Sequence, residues 1–189
     1  MLSPEYPLRT ARLLLRPLGD ADAEPMLAYK SDAENVRFVP YGVLSIEDIR
    51  ERLRTTWAGS VFTAEGDAVC LGVEEQGTGR LVGDVVLFWR SERDRAGEVG
   101  YILDPAFAGR GYATEAVAAL LDLGFDGLGL HRITARIDER NTASVGVVER
   151  LGFRREARLV ESSWFKGEWA TMLEYGMLAA EWAARADRP

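Results

Sequence analysis

The chain has 189 residues, enough for one domain, and 47% of them are hydrophobic, a composition that can bury a core. Its net charge of −7 argues against a general affinity for nucleic acid or anionic membrane. The longest apolar runs, such as residues 116–121, are too short to span a bilayer, and residues 1–10 hold no apolar stretch of the secretory kind. Cys70 is the only cysteine, so no internal disulfide can form and a reducing cytoplasm is the expected compartment. One histidine and one cysteine exclude most metal-site patterns, and no metal is expected. Of the 23 basic residues only Lys30 and Lys166 are lysines.

In chain order, residues 12–18 (RLLLRPL) read as a first strand. Residues 20–30 read as a helix with Asp20 as its N-cap. Residues 45–57 open with a capping box at Ser45 and Asp48 and carry Ile49 and Leu53 four apart, so a second helix follows. Residues 68–74 and 80–89 are strands joined by turn chemistry, Glu75-Gln76-Gly77-Thr78-Gly79. The polar residues 91–96 read as a loop, residues 98–103 as a strand, and Asp104-Pro105 as its end. Residues 109–127 begin with glycines and turn helical, with Val117, Leu120, Leu121 and Phe125 at helical spacing. A strand at 132–137 leads to a helix at 141–151, stopped by Gly152, and two strands close the chain, the last at 169–178. This alternation predicts a single mixed α/β domain over residues 1–189.

The stretch with most chemistry is Ala108-Gly109-Arg110-Gly111-Tyr112-Ala113-Thr114, between a strand and a helix. Two glycines let backbone N–H groups converge, and the helix start adds positive dipole, so the loop can cradle a pyrophosphate. It lacks the Lys-Ser/Thr of a P-loop and the third glycine of a dinucleotide fingerprint. Taken alone, the same residues also describe a plain glycine turn before a helix.

The neighbours of this loop narrow the reading. Gly97-Glu98-Val99-Gly100-Tyr101-Ile102-Leu103 runs directly into it, and Asn141-Thr142-Ala143-Ser144 and Leu151-Gly152-Phe153 follow the helix. This succession resembles the GNAT acetyltransferase core. GYATEA, N-x-x-S…LGF and the early ARLLLRP are similar to the RimJ/RimL branch. The pyrophosphate loop departs from the family at Ala108, where Gln or Arg is usual, and Thr171 stands where an Asp is often found.

The resemblance implies a mixed, mostly antiparallel sheet of about seven strands with flanking helices and a splayed central strand pair. It implies acetyl-CoA as co-substrate and an amine that attacks the thioester directly. Free backbone groups at Ile102 and Leu103 would meet the pantetheine arm, and residues 108–114 the pyrophosphate. Glu98 is the candidate general base, acting through water, or else a solvated strand-edge carboxylate. Asn141 would bond the pantetheine arm or order a water, or simply cap its helix. Ser144, on the same helical face, would hydrogen-bond the sulfur. His131 is given no role, and one of Arg150, Arg154, Arg155 and Arg158 would meet the 3′-phosphate. The aromatic residues Trp164, Phe165, Trp169, Phe88 and Trp89 would line the acceptor site, form core, or make a homodimer surface. The acceptor is open: a protein N-terminal α-amine as in RimJ/RimL enzymes, or a small amine such as an amino acid, polyamine or antibiotic. A non-catalytic acyl-CoA binder is the alternative of another class.

Overall fold

Eight strands form one sheet in the computed structural model, which describes residues 1–185. They are β1 (Leu8–Arg9), β2 (Leu13–Pro17), β3 (Ala68–Glu75), β4 (Leu81–Ser91), β5 (Ala96–Leu103), β6 (Arg132–Asp138), β7 (Arg154–Phe165) and β8 (Glu168–Leu178). The helices are α1 (Ala23–Lys30), α2 (Ile46–Arg54), α3 (Tyr112–Asp122), α4 (Thr142–Arg150) and α5 (Ala179–Ala183). The spatial order is β1-β2-β3-β4-β5-β6-β8-β7. All neighbours run antiparallel except β5 and β6, which are parallel.

Both faces of the sheet are covered, which is why β3 and β4 read as near-continuous apolar runs. On one face, Val69, Leu71, Val85, Leu87 and Ile133 pack with Val117, Leu120 and Leu121 of α3 and Val148 of α4. On the other, Cys70, Leu81 and Ile102 pack with Met26 and Tyr29 of α1 and Ile49 and Leu53 of α2. The alternation of strand residues sends one set to each side.

The parallel pair is short. Only Ala96, Gly97 and Glu98 pair with Arg132, Ile133 and Thr134, although β5 continues to Leu103 and β6 to Asp138. Beyond Glu98 the two strands part, and a cleft opens in the middle of the sheet.

Several local expectations hold in atomic detail. Ser45 Oγ accepts the Asp48 N–H at 3.1 Å and Asp48 Oδ2 accepts the Ser45 N–H at 2.9 Å, the reciprocal cap of α2. Gly152, at φ 79°, ends α4, with the Phe153 N–H reaching back to the Val148 carbonyl at 3.0 Å. Others differ. Asp20 caps nothing: a 3₁₀ turn at Asp20–Asp22 precedes α1, and the Asp22 carboxylate takes the Gly19 N–H instead. Asp22 is fixed there by two bonds from the Arg16 guanidinium, at 2.9 and 2.8 Å. The helix expected across 109–127 is α3 followed by a π turn at Leu123–Gly127. The two-residue β1 and the short α5 carry too little periodicity to be read from sequence.

Candidate active site

From β5 the chain passes through a 3₁₀ turn, Pro105–Phe107, capped by Asp104 Oδ1 on the Ala106 N–H at 2.8 Å. Ala108 then leads into Gly109, Arg110 and Gly111, and α3 begins at Tyr112. Gly109 and Gly111 have φ of 76° and 79°, a region that L side chains rarely adopt. A Cβ on Gly109 would meet open space, so the glycine there serves the dihedral and not the packing. Among the described residues, the N–H groups of Gly109, Arg110 and Gly111 have no acceptor. The first-turn N–H groups of α3, from Tyr112, Ala113 and Thr114, lack intrahelical partners by geometry. This set of donors at a helix start fits a phosphate-bearing ligand.

The loop is braced by residues far away in sequence. Glu115 of α3, only 5% exposed, accepts Thr10 Oγ1 at 2.6 Å, the Arg12 N–H at 2.8 Å and Arg12 Nε at 2.7 Å. Burial alone would push its carboxyl up, but these bonds from Thr10 and Arg12 hold it below the usual glutamate range. Arg12 also donates to the Arg110 carbonyl at 2.9 Å and lies over the Tyr112 ring. The Tyr112 hydroxyl donates to Glu75, so its side chain is committed and only its backbone faces a ligand. The early Thr10 and Arg12 thus belong to the loop's support, a role invisible in the motif itself.

The register of β4 and β5 decides which backbone groups face the cleft. The Asp104 N–H bonds the Val82 carbonyl at 2.9 Å, and Asp84 lies opposite Ile102. Bonded and open pairs alternate along an antiparallel ladder, so Gly100 and Ile102 turn their backbone groups to β4. Tyr101 and Leu103 turn theirs to the cleft. The expectation of free groups at Ile102 and Leu103 is therefore corrected at Ile102, whose side chain, not its backbone, faces the site. The Leu103 carbonyl accepts Asn35 Nδ2 at 3.1 Å.

The cleft opens onto a cavity of about 860 Å³ on the α1–α2 side of the sheet. Glu98, Ile102, Asn141 and Ser144 all line it. Glu98 Oε2 pairs with Arg90 Nε at 3.0 Å and stays partly open to solvent. Asn141 Oδ1 accepts the Ser144 N–H at 3.1 Å, so Asn141 is the N-cap of α4. Its Nδ2 and the Ser144 hydroxyl have no partner among the described residues. Ser144 is further located by Tyr101, whose hydroxyl donates to its carbonyl at 2.9 Å. Of the four arginines, Arg150 reaches α3, with Nε 3.3 Å from Thr114 Oγ1. Arg154 and Arg158 are paired to Glu156 and Glu139.

The aromatic residues separate. Phe88 lines the cavity, while Trp89 packs edge-on to Phe62 on the opposite face. Trp164 and Trp169 form an exposed edge-to-face pair, with ring centroids 5.2 Å apart, on the β7–β8 hairpin. The Thr171 hydroxyl accepts the Glu161 N–H at 3.1 Å.

Sequence reasoning missed the cavity floor. Lys30, fully buried, places Nζ 2.7 Å from Asp84 Oδ2 and 2.9 Å from the Tyr41 hydroxyl. The Tyr29 hydroxyl donates to the same Asp84 oxygen at 2.8 Å. The one usable signal was Asp84 itself, a charge inside an apolar strand.

Residues 12–154 match the Acetyltransferase (GNAT) domain family. The chain belongs to this family. It is an acetyl-CoA-dependent N-acetyltransferase. The GNAT chain is 30% identical over 175 residues to the uncharacterized N-acetyltransferase YnaD of Bacillus subtilis, covering 93% of this chain and 98% of that one. It is 30% identical over 104 residues to the putative ribosomal N-acetyltransferase YdaF of the same organism, over 55% of this chain and 57% of that one. A GNAT-family acetyltransferase structure from Bacillus anthracis superposes with a TM-score of 0.81 at 31% identity, over 92% and 98% of the two chains. A spermidine N-acetyltransferase from Vibrio cholerae, solved with CoA and spermine, shares the fold with a TM-score of 0.77 at 22% identity, over 92% and 99%. The splayed β5–β6 pair and the mostly antiparallel sheet are the GNAT arrangement anticipated from the motifs, with eight strands instead of about seven. Among the described residues no helix is long and apolar enough to cross a membrane, and no group of three or more His, Cys, Asp or Glu is placed to hold a metal.

Proposed function

We propose that this GNAT enzyme acetylates the primary amine of a small molecule that enters the cavity beneath α1 and α2. The observation that carries this reading is that the cavity opens where the strands part, lined by residues 98–102 of β5 and 135–138 of β6, while β5 leads on along the chain to the phosphate-fitting loop. At about 860 Å³ the cavity is in the range of small-molecule sites and takes a small amine whole. The narrower RimJ/RimL reading, with a protein N-terminal α-amine as acceptor, draws support from the YdaF similarity, which spans little more than half of this chain.

In this reading the amides of residues 109–114 hold the pyrophosphate, and Arg150 stands beside them as the cation for a further phosphate. The backbone of Tyr101 and Leu103 aligns the pantetheine arm along β5. Acetyl-CoA brings the activated acetyl group. Glu98, through a water, takes a proton from the acceptor ammonium, and the free amine attacks the carbonyl carbon. A C–N bond forms and the C–S bond breaks; the attacking nitrogen releases its second proton to solvent as the amide forms, and the leaving thiolate takes a proton from solvent. Ser144 Oγ donates a hydrogen bond to the sulfur as its charge grows, and Asn141 Nδ2 orders the arm next to it.

The test is thiol release from acetyl-CoA over a panel of small amines and N-terminal peptides. Amine-dependent release, with peptides slower than small amines, is expected. Calorimetric binding of acetyl-CoA without release from any amine would return the chain to the binding-only class.

A further inference from the structure

The charges around the cavity discriminate between acceptor classes. Its lining carboxylates are all engaged among the described residues. Asp84 holds Lys30 at 2.7 Å, Glu98 holds Arg90 at 3.0 Å, and Asp138 holds Arg140 at 2.6 Å. Asp67 takes the N–H groups of Thr63 and Ala64, at 2.6 and 2.9 Å. Two lining cations, Arg52 and Arg136, have no carboxylate within ion-pair distance among the described residues. Asp48, one turn before Arg52, accepts its hydrogen bonds from Ser45 and meets Arg52 only as a neighbouring charge beyond ion-pair distance, and Glu174, opposite Arg136 in the register, makes no ion pair with it.

The two guanidiniums differ in setting. Arg136 is exposed on β6. Arg52 is partly buried on α2, its Cζ 5.4 Å from the Tyr41 ring centroid and 5.5 Å from that of Trp57. Rings on which a guanidinium rests restrict its motion and lower the local dielectric, so an anion beside it is bound more strongly. The same two rings, with Phe38 and Phe88, offer apolar wall to the rest of a ligand. A polycation would find here no unpaired carboxylate and two unpaired guanidiniums.

Building on the small-amine reading above, we propose that the acceptor carries a carboxylate besides its amine, on an aromatic or apolar body, and that Arg52 binds that carboxylate. The amine then points toward Glu98 and the cleft, and the body lies on Tyr41 and Trp57. Arg52 is a specificity-determining residue that selects amino-acid-like acceptors over polyamines.

The experiment measures acetyl-CoA thiol release by the full chain with phenylalanine, phenylalaninamide and spermidine. Readings are taken above the amine pKa of the first two, so that their free-amine fractions match. The wild type is expected to favour phenylalanine over phenylalaninamide by about ten- to a hundredfold in kcat/KM, the range of a charge-assisted bond. Spermidine is expected to be the poorest of the three. In R52Q the acid-to-amide ratio should fall toward one, through KM, and R52K should restore part of it. A ratio near one in the wild type, or spermidine as the best acceptor, overturns the proposal while leaving the transferase reading intact. Loss of the preference in R136Q but not in R52Q overturns the assignment to Arg52. Absence of thiol release with all three and with the wider amine panel removes the transferase reading, and this proposal with it.

Discussion

Replacing Lys30 by Met keeps the length of the side chain and removes its charge. Asp84, 6% exposed, then keeps a carboxylate below the sheet surface with only the Tyr29 hydroxyl to satisfy it. Breaking a buried pair in this way costs about 3–5 kcal/mol, because one charge is left uncompensated. For a chain of this size that corresponds to a fall in Tm of roughly 6–20 °C. Thermal and denaturant unfolding of K30M should show it, and K30M/D84N should recover more than half, since both charges are then gone. Burial draws the Lys30 ammonium down, but Asp84 and Tyr41 outweigh it and hold it above its ordinary 10.5. A raised lysine stabilises fully below the unfolded value and loses that contribution as pH climbs through the folded one. The gap between wild type and K30M should therefore be constant near neutrality and shrink only above about pH 10.5. A K30M variant within about 1 kcal/mol of wild type, or a double variant no better than the single one, refutes the reasoning.

Other outcomes follow from the site. Gly111→Val forces a branched side chain into φ 79° beside the Arg12 guanidinium, and calorimetry should show CoA binding lost while circular dichroism reports the fold; normal binding removes the cradle assignment. Glu98→Gln should lower kcat by roughly 10²–10⁴-fold at neutral pH and recover part of it as pH rises and free amine accumulates; a pH–rate profile of unchanged shape makes Glu98 a solvated partner of Arg90. Ser144→Ala should leave acetyl-CoA affinity within about tenfold, a neutral bond being worth ~0.5–1.5 kcal/mol, and reduce turnover more; an effect on the acceptor KM alone places the serine with the acceptor. Asn141→Ala removes a helix cap, so a stability loss of about 1 kcal/mol should accompany a raised KM for acetyl-CoA, and a variant with either effect missing assigns the residue one role instead of two.

What was legible in the sequence is what depends on residues close together in it. The Ser45–Asp48 cap, the Asn141–Ser144 cap and the left-handed glycines at 109, 111 and 152 are set within a few positions, and each forms as its local chemistry dictates. The apolar runs and turn residues that mark β3 to β6, and the helix after the glycine loop, belong to the same class. A departure arose where a distant partner competed, as when Arg16 drew Asp22, not Asp20, into the start of α1. Only the tertiary structure brought Lys30 to Asp84, 54 positions on, and Thr10 and Arg12 to Glu115, more than 100 positions on. Only the sheet register turned Tyr101 and Leu103, and not Ile102, toward the cleft, because a one-residue step along a strand reverses the direction of its backbone groups. Whether a charge is free is likewise a property of the folded chain: Arg52 and Arg90 read alike in sequence, and one lies beside a carboxylate while the other rests on two aromatic rings.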